Sequence, residues 1–355
     1  MNVTTSYPGV YLIEDAVSSF SVNSAATAIP IFAYDSKNNG SINSYDIQIF
    51  HNWAEFVAVY TTPIEDNFYT SVKLWFMHGG GKCYLASDAE IETAVAQYDD
   101  ITLIVAAGTD TATYEAFSTL VSKGYRIFGL FDGPKEKIAT DAKPDTVMKD
   151  YPTSPYGAVF YPWGNLTSGE VVPPSAIAAA SIIQTDLTRG VWKAPANQAI
   201  NGVTPMFPMS DDFQGQFNQG KALNMIRSFS GLGTVVWGAR TLEDSDNWRY
   251  IPVRRLFNMV ERDIQKSLNK LVFEPNSQPT WQRVKAAVDS YLYDLWQQGA
   301  LAGNTPSEAW FVMVGKDLTM TQEDINQGKM IIKIGLAAVR PAEFIILQFS
   351  QDIAQ

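Results

Sequence analysis

Cysteine is almost absent: Cys83 is the only one in 355 residues, so no intrachain disulfide can form and a reducing compartment during folding is expected. Histidine is nearly as scarce. With only His51 and His78 beside that single thiol, no closed zinc site of the usual spacing can be drawn, and no cysteine–histidine relay is suggested. Long apolar runs are missing too. The best candidates, ITLIVAA (101–107) and IAAASII (177–183), fall well short of the roughly 18 residues a membrane span needs. The opening MNVTTSYPGVYLIED lacks the basic start and apolar centre of a secretory signal, so none is expected. Basic charge is in the minority: 26 Lys and Arg against 37 Asp and Glu give a net charge of −11. That argues against general nucleic-acid binding and against docking on anionic lipid.

Catalytic signatures are also lacking. HGGGKCYL (78–85) has glycines but not the phosphate-loop spacing, and its order is reversed: a helix precedes the glycines and a strand follows. Glycines ending a helix account for it better. SLNK (267–270) matches Ser-x-x-Lys only formally, inside an amphipathic helix and without companion motifs. Asp99–Asp100 and Asp211–Asp212 fall in turn-like stretches. No catalytic residue, cofactor or metal is expected.

What is present is a sizeable apolar share, 46%, arranged in alternating patterns. From 23 to about 195, helical stretches (53–59, 67–77, 114–122, 176–184) alternate with short apolar strands (84–86, 101–106, 126–130, 158–161), which predicts an α/β layer architecture with parallel pairing. Ser175 is a candidate cap for the Ala-rich helix. Residues 196–232 have weak periodicity and read as a connector. A second α/β domain is predicted over 233–338, with long amphipathic helices over 253–271 and 281–297 and strands over 309–314 and 330–335.

The two ends read as arms, 1–22 and 339–355. Val10 and Leu12 lie on one face of the first, Tyr11 and Ile13 on the other; in the second, Phe344 and Ile346 oppose Ile345, Leu347 and Phe349. A strand apolar on both faces needs cover on both faces, so each is expected to add to a sheet of a neighbouring subunit. Between 248 and 272 the charge turns basic, with Arg249, Arg254, Arg255, Arg262, Lys266 and Lys270 outweighing Glu261 and Asp263. That is either a solvated helix face or a contact with other subunits or an acidic inner tube. Asp186, Arg189 and Trp192 can make an intersubunit contact or an internal ion pair and core anchor, and the internal reading is favoured.

Several motifs, in order, cover nearly the whole chain: YPGVYLIED (7–15), LWFMHGGGKCYL (74–85), YPWGNLTSGEVVPPSAIAAASIIQTDLTRGVWKAPAN (161–197), VVWGARTLEDSDNWRYIPVRRLFNMVERDI (235–264), LVFEPNSQPTWQRV (271–284), LWQQGAL (295–301) and VRPAEFIILQFSQ (339–351). Together they resemble the contractile tail sheath proteins of phages, R-type pyocins and extracellular contractile injection systems, most of all the compact sheaths of virulence-cassette and antifeeding-prophage particles. GKDLTMTQEDINQGK (315–329) departs from the longer sheaths. The resemblance implies a subtilisin-like but non-proteolytic middle domain, a C-terminal α/β sheath domain facing the lumen, and two β-arms. It implies a homo-oligomeric helical sheath around an inner tube protein, with baseplate and terminator or cap proteins as further partners and neither nucleic acid nor membrane insertion. It also implies assembly in the bacterial cytoplasm, contraction from a metastable extended state, and membership of a phage tail or a released tail-like particle. A non-contractile assembly subunit and an α/β hydrolase stand as alternatives at this point.

Overall fold

The computed structural model describes residues 21–35, 47–61, 66–109 and 111–344. Their centre is an eight-stranded sheet built from β1 (Pro30–Tyr34), β2 (Gln48–Phe50), β3 (Cys83–Ser87), β4 (Leu103–Val105), β5 (Phe128–Asp132) and β6 (Gly157–Tyr161), joined by two later strands. A three-stranded sheet of β7 (Gly164–Leu166), β8 (Val171–Val172) and β9 (Val203–Pro205) follows. Then β10 (Leu223–Phe229) and β11 (Gly233–Val236) complete the large sheet in the order β11-β10-β6-β5-β4-β1-β3-β2. All pairs from β10 to β3 are parallel, and β11 and β2 close the edges antiparallel.

The parallel strands are short and apolar on both faces because helices cover both faces. Alternate residues face opposite ways. Phe32, Leu85, Leu130 and Phe160 pack under the helices Asn67–Met77 and Pro174–Thr188, while Ile31, Tyr84, Phe131 and Tyr161 pack under Ile91–Gln97 and Thr111–Ser122. A third core lies apart from the sheet. Leu256, Val260 and Ile264 of the helix Ile251–Leu268 meet Val284, Val288 and Leu292 of the helix Gln278–Gln297. A third sheet, the two strands β12 (Trp310–Val314) and β13 (Ile332–Leu336), covers that helix pair.

Three expectations need correction. The stretch 196–232 is no mere connector, since it supplies β9 and the buried half of β10, which pairs in parallel with β6. Gly233–Val236 does not open the second domain; it pairs with β10 and finishes the first sheet. Ser175 is not the helix cap. Pro173 is, and Ser175 sits in the first turn, accepting from the Ala107 N–H through its hydroxyl at 3.0 Å.

Ser175 also donates its backbone N–H to Asp132 at 2.7 Å, and Gly108 donates to the same carboxylate at 2.8 Å. This knots the ends of β4 and β5 to the start of the Ala-rich helix. Burial pushes the Asp132 carboxyl up from 3.8 to about 6, with the two N–H donors pulling the other way. A carboxyl that binds its proton more tightly in the fold than in the unfolded chain supports the fold at low pH. Its contribution falls as pH climbs from 3.8 to about 6 and is level above that. In urea unfolding followed across that range, wild type should lose roughly 2–3 kcal/mol relative to Asp132→Asn, whatever constant penalty the amide adds. A difference that does not change with pH would refute the assignment.

Candidate functional site

The sheet of β12 and β13 is unlike the large one. It has two strands of five residues each, and among the described residues no strand pairs with either outer edge, although just beyond β13 Leu301 bridges Ala338. Its register sets Trp310 opposite Leu336 and Val314 opposite Ile332. Ala337 donates to the Ala309 carbonyl at 2.8 Å, and its own carbonyl accepts from Ala302 at 2.7 Å. Antiparallel ladders alternate bonded and unbonded pairs, so every second residue of each strand turns its backbone N–H and C=O groups outward. An isolated two-stranded hairpin is marginal in water, and such edges are templates for a further strand.

Both faces of the hairpin carry apolar side chains. Val312, Ile332, Ile334 and Leu336 pack on the helix pair. The Trp310 indole donates to Asp289 at 3.1 Å, and its ring lies 6.2 Å from that of Trp296. On the other face Phe311 is 54% exposed, its ring lying across Gly335, where any side chain would collide with it. Met313 and Lys333 share that face. The strands themselves were legible in the sequence; their open edges were not. The signal for an uncovered face was WFVMV, apolar at every position of a strand.

Of the arm residues, Val10, Tyr11, Leu12, Ile13, Ile345, Ile346, Leu347 and Phe349 lie outside the described residues. Phe344 is described and is 70% exposed. The root of the C-terminal arm is held just before it. Glu343 receives the Arg240 guanidinium at 2.7 and 2.9 Å and the Tyr250 hydroxyl at 3.2 Å. Sequence reasoning missed Glu343, because its partners lie about a hundred residues away in the chain.

The basic stretch is not a free surface. Arg254 is 3% exposed, stacked 4.3 Å from the Trp248 ring and 4.6 Å from that of Tyr156, and bonded to Asn258 and Glu261 at 2.9 Å each. Arg255 is equally buried and grips Asp186 with bonds of 2.8 and 2.6 Å, donating also to the Thr27 carbonyl. Arg262 donates to the Ala26 carbonyl at 2.8 Å, Arg249 pairs with Asp244, and Lys266 with Asp99. The reading of Arg254 and Arg255 as tube or subunit contacts is therefore corrected: Arg255 spends its charge on Asp186 of another helix, and Arg254 on Glu261 of its own. Lys270 is exposed and has no partner among the described residues. Asp186 is internal, but its partner is Arg255 and not Arg189, which is exposed.

Among the described residues neither histidine is hydrogen-bonded to Asp132 or Ser175. His51 lies against Glu55 at 3.2 Å, and the buried His78 ring is turned to the Leu74 carbonyl at 3.0 Å. Among the described residues no cluster of His, Cys, Asp and Glu could hold a metal, and no helix is long and apolar enough to cross a membrane.

Comparison with known proteins decides the family. The phage tail sheath C-terminal domain matches residues 243–352, a stretch that takes in the helix pair and the open hairpin. A chain in the cryo-EM structure of an extracellular contractile injection system, the PVC sheath complex in its contracted state, is 47% identical over 99% of both chains with a TM-score of 0.90. The chain belongs to the phage tail sheath family. A chain in the cryo-EM structure of the anti-feeding prophage baseplate in its contracted state is 83% identical to this sheath protein, covering 98% of it and 100% of that chain, with a TM-score of 0.92. The tail sheath protein of Vibrio phage KVP40 is 22% identical over 182 residues, half of this sheath protein but only 26% of the phage protein's own length. This sheath protein is thus a structural subunit of mixed α/β fold, and its match to the family's C-terminal domain begins after β11.

The buried Arg255–Asp186 pair gives a direct test of the correction. Removing one partner of a buried, hydrogen-bonded ion pair typically destabilises by about 3–5 kcal/mol. Arg255→Ala should show that loss in urea unfolding, whereas Lys270→Ala should stay within about 0.5 kcal/mol of wild type. Equal, small effects from both would return Arg255 to the surface.

Proposed function

We propose that the subunit polymerises by strand exchange. The open edges of β12 and β13 receive the N-terminal arm strand Val10–Ile13 and the C-terminal arm strand Phe344–Phe349 of neighbouring copies. Subunits linked in this way form a helical sheath around an inner tube, and contraction drives the tube through a target envelope. The observation that carries this reading is the two-stranded hairpin with two free edges, carrying apolar side chains on both faces and fixed to the helix pair.

The energetics favour it. Each interchain backbone bond contributes about 0.5–1.5 kcal/mol net. Each fully covered arm side chain such as Phe344, Ile346 or Phe349 adds roughly 1.5–3 kcal/mol. Links of this kind persist while rigid bodies turn about the arm roots and repack their other contacts. The related structures are of contracted sheath and baseplate assemblies, which supports baseplate contact for this chain as well. Lys270, exposed near the end of the basic helix, is the cation we assign to an acidic tube or neighbouring subunit. The arms, 1–22 and 339–355, bracket the rigid body. Its role is mechanical and not enzymatic. Assembly takes place in the bacterial cytoplasm, with terminator or cap proteins closing the sheath.

Deleting 345–355 leaves Glu343 and the folded body in place. The truncated protein should keep its circular dichroism and melting temperature yet run as a monomer and form no striated tubes in negative stain. Tubes of normal diameter and yield from that truncation would rule out the C-terminal half of the exchange.

A further inference from the structure

A cleft of about 800 Å³ opens where the chain leaves β13. On one side is the strap Val339–Phe344, on the other the loop after the Ala-rich helix, with Trp237 at the sheet edge between them. Its aromatic lining is unfinished: the Trp192 indole N–H is shut off from solvent and has no acceptor among the described residues. Its charge is unbalanced as well. The two carboxylates that line it are already engaged, Asp211 by Arg227 at 2.6 Å and Glu343 by Arg240 at 2.7 Å. Arg189, Lys193 and Arg340 are exposed there and have no partner among the described residues. Three uncommitted cations around one aromatic cleft, in a chain of net charge −11, call for an acidic occupant.

We propose that this cleft receives Glu14 and Asp15 from the N-terminal segment of a neighbouring copy. Residues 1–20 contain those two carboxylates and no Lys or Arg. They directly follow the arm strand Val10–Ile13, just as Val339 and Arg340 of the cleft closely follow β13. The cleft begins at Val339, three residues past the end of β13, and an arm strand running in the direction of β13 carries its acidic pair toward Arg340. The inference rests on the strand-exchange reading and adds a second anchor to it. The backbone ladder is indifferent to sequence, whereas the ion pairs fix which segment enters, in which direction and in which register.

Two cysteine pairs separate the claims, since the native Cys83 is buried. Asp15→Cys with Lys193→Cys reports the cleft; Ile13→Cys with Lys333→Cys reports the hairpin. Mild oxidation of assembled particles, read on a non-reducing gel, should give a ladder of linked chains from both pairs. A ladder from the hairpin pair alone overturns the cleft assignment and leaves strand exchange standing. No ladder from either overturns both. Linkage only within one chain shows that the cleft holds its own terminus, and overturns the proposal. Independently, Glu14→Lys with Asp15→Lys should abolish tube formation at low salt, and Arg189→Glu, Lys193→Glu and Arg340→Glu added to that variant should restore it. Full assembly by the first variant overturns the proposal.

Discussion

The buried contact between Arg255 and Asp186 decides what kind of body this subunit is. It joins the helix Ile251–Leu268 to the end of the helix Pro174–Thr188, two elements that belong to different cores. A desolvated ion pair is tolerated only when every donor and acceptor is used. Here Asp186 also accepts from the Thr27 hydroxyl at 2.6 Å, and the spare guanidinium N–H reaches the Thr27 carbonyl. Two further bonds lie beside it on the same helix: Ala25 donates to Asp263, and Arg262 donates to the Ala26 carbonyl. The junction that locks the cores together therefore also holds the root of the N-terminal arm. At the other end, Glu343 on Arg240 and Tyr250 pins the root of the C-terminal arm to the edge of the main fold.

Both arms thus start from fixed points on one rigid body. A pull on the hairpin passes through the third core to the basic helix, and from there through Arg255 into the large sheet. A sheath that stores and releases mechanical work needs such a path, because a soft joint between hairpin and sheet would absorb the motion that the particle must deliver. Arg254 and Arg255, which give the helix much of its basic look, lie along that path, which is why these two are not on the surface.

The parts legible in the sequence are those whose signal is local. ITLIVA and AVFY are continuous apolar strands flanked by helical periodicity, and they sit as β4 and β6 in the middle of a parallel sheet. The two long helices carry their apolar stripe plainly and pack along it. Illegible parts depend on distant partners. LNMIRSF, set in a stretch rich in Asn, Gln and Gly, becomes β10 only because β6 stands ready to pair with it. Arg254 and Arg255 look like any exposed basic pair until Trp248, Tyr156 and Asp186 are brought to them by the fold. The open edges of the hairpin were hidden for the opposite reason: its strands are obvious, but a free edge is a property of what fails to pair beside them.

A free edge is also a hazard before assembly, when any extended chain can pair with it. The hairpin limits that hazard by its own design. Five-residue strands offer few outward groups, Lys333 places a charge on the exposed face, and Gly335 leaves nothing beneath Phe311 for a foreign side chain to grip. Those same features make the ladder a weak reader of sequence. Discrimination between a proper arm and an improper one must then come from side chains near the hairpin that recognise something the arms alone carry. Arg340 just past β13, with Arg189 and Lys193 across the cleft, is placed to do this, since electrostatic complementarity selects partners and fixes register more than it adds raw affinity. On this argument the backbone supplies the strength of the mesh and the cleft supplies its grammar, and the two had to be kept on separate elements so that one could stay short and cautious while the other stayed specific.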